Sequence, residues 1–184
     1  MRVIAGQFKG ARLFTPKGNW MRPTTDRVRE YIFSCIGDSI RETKVLDLFA
    51  GTGSFGIEAL SRGAQQATFV DISAKAIAIL KSNLEKIRVE APIHQMSAES
   101  FLRWSAKTNA AFDYVFCDPP YESKLLPDIL PKLQNGDLLG DGSTVIWESS
   151  SRMENPPIPG YDVERMKNLG DTKITFYRRT NGRE

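Results

Sequence analysis

The chain has 184 residues, enough for one α/β domain and too few for two full ones, and 41% of them are apolar, so a sizeable core can be buried. The net charge is only +3, yet residues 1–30 carry seven basic groups against two acids, which puts this arm at +5 and the remainder at −2 and favours a polyanionic partner for the arm. Two cysteines far apart, Cys35 and Cys117, read as thiols in a reducing compartment and exclude a disulfide framework. A single histidine, His94, and the lack of any Cys pair at ligand spacing argue against a metal site, a Ser-His-Asp triad and a Cys-His nucleophile. No apolar run reaches the ~18 residues of a membrane span, and the first residues lack the apolar stretch of a signal peptide, so a cytoplasmic protein is expected.

Residues 1–20 are rich in glycine and basic groups, and Val3–Ala5 with Ala11–Phe14 has the makings of a hairpin. Thr24–Gly37 reads as a helix capped by Thr24 or Thr25: Val28, Tyr31, Ile32, Cys35 and Ile36 share one face, and Arg27 and Arg29 are expected on the other. From Lys44 the pattern alternates. Strands are expected at 45–49, 67–70, 92–96, 112–117 and 143–149, with helices at 55–62, 74–88, 98–106 and 123–134. Pro127 and Pro131 argue against the last of these helices. Segments 161–167 and 172–179 read as an antiparallel pair turned at Asn168–Asp171. The sum is an α/β fold, a seven-stranded, mostly parallel Rossmann-like sheet with an antiparallel C-terminal strand, binding its ligand at the carboxyl ends of the strands. One domain, 1–184, is expected, with a basic extension over 1–40 and a core over 41–184.

Asp47-Leu-Phe-Ala-Gly51-Thr-Gly53-Ser-Phe-Gly56 follows a strand, opens a helix and fits G-x-G-x-x-G. Asp71 ends the second strand 20 residues beyond Gly51, where a carboxylate can accept from both hydroxyls of a ribose. The pair implies an adenosine-containing ligand. A nicotinamide dehydrogenase is the first rival, but Asp47 would lie close to a pyrophosphate and repel it; it suits a ligand with positive charge there. The bland alternative is a carboxylate that only holds the loop's amides, and the two roles are compatible.

Val45–Ala64 resembles the first motif of the class I S-adenosylmethionine-dependent methyltransferases, in a form similar to the bacterial 16S ribosomal RNA guanine 2-amino methyltransferases. The resemblance implies S-adenosylmethionine as cofactor, with Asp47, Phe49, Gly51 and Gly53 towards its methionine end, Asp71 on the ribose, Ile72 on the adenine face, and Ser97 and Ala98 at the adenine edge. The family often has Glu at the Asp71 position, and many methyltransferases have an acid at that of Ser97, where a helix cap is the plain alternative.

Asp118-Pro119-Pro120-Tyr121 closes the strand 112–117. Its prolines fix the turn and remove two amide donors, leaving the Asp118 side chain and the Pro119 carbonyl to accept from an amine. Two acceptors gripping the hydrogens of an exocyclic amine favour a pyramidal nitrogen whose lone pair faces the methyl group, and Tyr121 offers a stacking face. The motif is similar to that of enzymes methylating amino groups of adenine, cytosine or guanine and does not choose among them. Arg22–Glu30, Arg2–Gly10 and Leu169–Tyr177 extend the resemblance to the ribosomal RNA family over almost the whole chain. It implies transfer of a methyl group to the 2-amino group of a guanine in 16S ribosomal RNA, free or within a small subunit, by a monomer. Lys9, Arg22, Thr24, Arg27 and Arg29 are the candidates to hold the RNA strand; for Arg27 and Arg29 a solvated helix face is the plain alternative. An adenine amino methyltransferase acting on DNA or another RNA, and a noncatalytic RNA-binding protein, stay open. Trp20, Trp104, Trp147 and His94 read as packing residues, and Glu148 ends a strand near the site without an assigned role.

Overall fold

The computed structural model describes residues 1–16, 24–108, 110–120, 125–154 and 156–180. Arg22, Tyr121 and Trp20 lie outside them. The alternation of the sequence becomes β1 (Lys44–Asp47), α2 (Ser54–Ser61), β2 (Gln66–Asp71), α3 (Ala74–Lys86), β3 (Ile93–Gln95), α4 (Ala98–Ser105), β4 (Phe112–Cys117), α5 (Leu126–Asn135), β5 (Leu139–Ser150), β6 (Tyr161–Leu169) and β7 (Thr172–Arg179), preceded by α1 (Asp26–Ile36) and a short 3₁₀ turn, Gly37–Ile40. Among the described residues the strands form one seven-stranded sheet in the order β3-β2-β1-β4-β5-β7-β6. Neighbours from β3 to β5 pair in parallel, whereas β7 pairs antiparallel with both β5 and β6 and so runs against the rest. The strand order reverses at β1 and β4, and a ligand crevice belongs beyond their carboxyl ends.

Period-two alternation sends the side chains of each strand to opposite layers. Val45, Phe69, Phe116, Ile146 and Ile174 join one apolar cluster with α1, α2 and α3; Leu46, Val70, Cys117 and Trp147 join the other with α4 and α5. Trp147 is fully buried, in keeping with a packing role, and Trp104 lies against His94 and Phe101 at the surface. Helix α5 forms despite its prolines: Pro127 stands in the first turn, where no donor is needed, and Pro131 is accepted inside because Ile129, Leu130 and Leu133 bury the helix. No helix among the described residues is long and apolar enough to cross a membrane.

The first sixteen residues turn back on themselves through the Arg2–Arg12 bridge and the bond from Val3 N–H to the Ala11 carbonyl, a minimal hairpin without extended strands. Val3 and Leu13 enter the same apolar cluster as α1 and α2. The extension is therefore packed onto the core, and Thr25, whose hydroxyl accepts from Val28 N–H, starts α1 beside the sheet.

Candidate active site

Above the carboxyl ends of β1, β2 and β4 lies a cavity of about 910 Å³, at the upper end of the size range of small-molecule sites. The glycine loop forms one wall. Gly53, at φ +87°, makes the left-handed turn into α2, and a Cβ on Gly56 would stand 2.3 Å from the Phe69 ring, so this glycine lets α2 lie against β2. Asp71 holds the loop in place: one carboxylate oxygen accepts from Gly51 N–H at 2.7 Å and the other from Ser73 N–H at 2.8 Å. A second lone pair on each oxygen is available to a hydroxyl.

Asp47 works from below. It is 1% exposed and accepts from Gly56 N–H at 2.9 Å. Burial pushes its carboxyl up to about 7, Asp118 and Asp71 push the same way, and the hydrogen bonds from the Gly56 and Phe55 amides pull it down.

Asp118, one residue past β4, forms the opposite wall with Pro119, which is buried, and Pro120, which is exposed. The hydroxyl of Thr24 donates to Asp118 Oδ2 at 3.0 Å, linking the basic extension to the carboxylate at the end of β4.

The cavity thus collects Phe49, Gly51, Asp71 and Ile72 from the first two strand ends, Ser97 and Ala98 from the start of α4, and Asp118, Pro119 and Pro120. Asp47 and Gly53 are not in its lining; they shape the loop from behind. Ser97 caps α4, its hydroxyl accepting from Ser100 N–H, and still reaches the lining. Ile72 is 71% exposed, a large apolar side chain left bare at the cavity.

The RNA candidates divide. Lys9 and Arg27 are exposed. Thr24 sits in the cavity wall on Asp118 and not on an outer face. Arg29, expected on the solvated face of α1, is instead 0% exposed: its guanidinium pairs with Asp26 at 2.7 Å and Glu58 at 3.3 Å and donates to the Arg2 carbonyl. It is a buried tie and cannot hold an RNA strand. The helical period misled because two carboxylates, one local and one distant in sequence, make an interior place for a cation.

Sequence reasoning also missed the partners of that tie. Glu58, fully buried on α2, accepts from the Ile4 and Ala5 amides and from Arg29 and Arg62. Buried Asn83 on α3 accepts from Phe14 N–H and donates to the carbonyls of Phe14 and Thr52, joining the extension to the glycine loop. Both bind backbone far away in sequence, which no local pattern announces. Glu148, two residues before the end of β5, is 8% exposed and lines the cavity.

Strand order, glycine loop, acid after β2 and Asp-Pro-Pro after β4 together define a Rossmann-like class I methyltransferase fold. Residues 1–178 match the family described as Conserved hypothetical protein 95, and the chain belongs to that family. It is 38% identical to "Putative rRNA methyltransferase YlbH" of Bacillus subtilis, over 97% of this chain and 99% of that one. It is 34% identical to "Ribosomal RNA small subunit methyltransferase D" of Escherichia coli, over 97% of this chain and 90% of the relative. The solved structure of "Putative methyltransferase yhhF" from Escherichia coli superposes with a TM-score of 0.87 at 34% identity, covering 97% of each chain.

Proposed function

We propose that the protein transfers a methyl group from S-adenosylmethionine to the exocyclic 2-amino group of a guanine in 16S ribosomal RNA. The observation that carries this reading is the meeting, in one cavity, of the Asp71-braced glycine loop with the acceptor pair of Asp118 and Pro119. The residues suit the cofactor: Asp71 has lone pairs for two ribose hydroxyls, bare Ile72 offers an apolar face to a purine, and the polar Ser97 hydroxyl stands beside them. Bound there, S-adenosylmethionine supplies an electrophilic methyl group on a sulfonium. Asp47, buried behind the loop with its carboxyl raised to about 7, is drawn towards its charged form by a cationic ligand.

The target guanine leaves its stack and enters the cavity. Asp118 and the Pro119 carbonyl accept its two amino hydrogens and turn the nitrogen lone pair towards the methyl group. Thr24 fixes the Asp118 carboxylate for this task. Tyr121, outside the described residues, stacks on the base by the resemblance of its motif, and Arg22 joins exposed Lys9 and Arg27 in holding the strand. After transfer the cationic nitrogen loses its proton to water or to Asp118, so no separate base is needed. The enzyme acts in the cytoplasm as a monomer, as one domain whose basic extension, 1–40, serves the catalytic core, 41–184.

One relative named as a putative rRNA methyltransferase and another named as a ribosomal RNA small subunit methyltransferase support the RNA and the reaction. The test is incubation with small-subunit RNA, free and in assembled subunits, and methyl-labelled S-adenosylmethionine, followed by digestion to nucleosides. Label in N2-methylguanosine is the expected result. Label in methyladenosine, or transfer to DNA alone, overturns the choice of base or nucleic acid.

A further inference from the structure

We infer that Phe14 is a stacking platform for an unpaired base of the RNA, a binding site on the extension and outside the cavity. The inference rests on the RNA half of the reading above and not on which base is methylated.

Exposed apolar side chains are ordinary, and exposure alone carries nothing. What sets Phe14 apart is how its backbone is held. Buried Asn83 on α3 accepts from Phe14 N–H at 2.6 Å and donates to the Phe14 carbonyl at 3.2 Å, so one side chain grips both polar groups of this residue. Asn83 also donates to the Thr52 carbonyl at 3.0 Å. Thr52 lines the cavity, which fixes Phe14 one side chain away from the cavity wall. Leu13 turns into the apolar cluster, and the alternation of an extended chain turns the Phe14 ring outward, where it is 51% exposed.

The ring is thus presented on a rigid mount. The Lys86 ammonium stands over it, 4.6 Å from its centroid, and Arg12, two residues before Phe14, is exposed as well. A half-bare aromatic ring beside two cations suits a nucleotide: the face away from Lys86 takes the base by stacking, and the cations take its phosphates. Because the backbone is already fixed, little freedom is lost on binding and more of the stacking appears as affinity. A duplex hides the faces of its bases, so the segment recognised is a loop, a bulge or a single strand. An apolar protein partner would have to take both cations out of water without pairing them, which is costly.

The test measures binding of small-subunit RNA, free and in assembled subunits, to wild type, Phe14→Leu, Phe14→Trp and Lys86→Gln over a range of salt concentrations. Phe14→Leu keeps an apolar side chain and loses the ring. It should weaken binding by roughly five- to a hundredfold, the worth of one base stacked on an aromatic side chain. The slope of log affinity against log salt should stay at its wild-type value, since stacking releases no counterions, whereas Lys86→Gln should reduce its magnitude by roughly 0.7. Phe14→Trp should bind at least as tightly as wild type, and the indole it adds should lose fluorescence, measured against the wild-type signal, when RNA binds. The unfolding midpoint and S-adenosylmethionine affinity of Phe14→Leu should match wild type, and the indole signal stands by itself if that variant folds poorly. Wild-type RNA affinity in Phe14→Leu, or an unquenched indole in RNA-bound Phe14→Trp, overturns the platform. So does a weakening in Phe14→Leu that comes with a smaller salt slope, which would make the ring a mere support for Lys86. A wild-type chain that binds no small-subunit RNA overturns the RNA reading itself.

Discussion

Asp118 is where orientation and proton abstraction part company. Asp118→Asn keeps an acceptor oxygen of the same size and loses the charge, whereas Asp118→Ala loses both. Removing one acceptor that matters most in the transition state costs about 2.7–4 kcal/mol by analogy with an oxyanion-hole donor, roughly a hundred- to a thousandfold in rate. Single-turnover rates should therefore run wild type, Asn, Ala, with cofactor affinity little changed; an Asn variant as slow as Ala, with its amide oxygen shown to face the substrate, would make the carboxylate a required base. Asp47 makes a separate prediction through pH. Its carboxyl, ordinarily near 3.8, is raised by burial to about 7 in the folded protein. Between these values the folded state binds more protons than the unfolded chain, so this group's contribution to stability is complete below about pH 4 and is lost as pH rises through 7. Asp47→Asn should flatten that part of the stability profile in denaturant unfolding measured at pH 4, 5.5 and 7, and an unchanged slope would remove Asp47 as its source.

At the scale of elements, the glycine loop, Asp71 and Asp-Pro-Pro were legible because each is a short sequence signal fixed by backbone geometry at a strand end. Strands β1 to β5 were legible too, as apolar runs closed by glycine, acid or proline. Of the extension, only its hairpin turn was legible. Its path depends on Glu58 and Asn83, whose partners in the extension, Ile4, Ala5 and Phe14, lie more than 50 residues away, and the reading of α1 puts Arg29 on the wrong face because its partner Glu58 lies 29 residues further along the chain. Helix α5 was doubted because proline arithmetic ignores burial, and here tertiary packing outweighs one missing hydrogen bond. Arg29 and Arg27, two positions apart on α1, should consequently behave as different kinds of residue. Arg29→Ala leaves Asp26 and Glu58 without their shared cation and should destabilise the fold by about 3–5 kcal/mol in denaturant unfolding. Arg27→Glu, at an exposed site, should leave stability within about 0.5 kcal/mol while weakening RNA binding. Equal effects of the two on stability would contradict the buried tie.

The whole molecule couples a basic, docked extension to a cofactor fold. One side of the cavity is built by the sheet and the other is touched by the extension through Thr24, so the segment proposed to hold RNA also touches the carboxylate proposed to orient the base. Each phosphate contact contributed by Lys9 or Arg27 should add roughly 0.7 to the magnitude of the logarithmic salt slope of RNA binding. Titration of S-adenosylmethionine with the Lys9→Glu and Arg27→Glu variants should show wild-type affinity. Loss of cofactor binding in these variants would make the basic residues structural. The central claim, methylation of a guanine amino group in small-subunit RNA, is tested most directly by nucleoside mass spectrometry of ribosomal RNA from cells lacking the protein. Small-subunit RNA from those cells should lack one N2-methylguanosine, restored by the wild-type chain and not by Asp118→Ala; an unchanged N2-methylguanosine content, or a loss confined to another nucleoside, would contradict it.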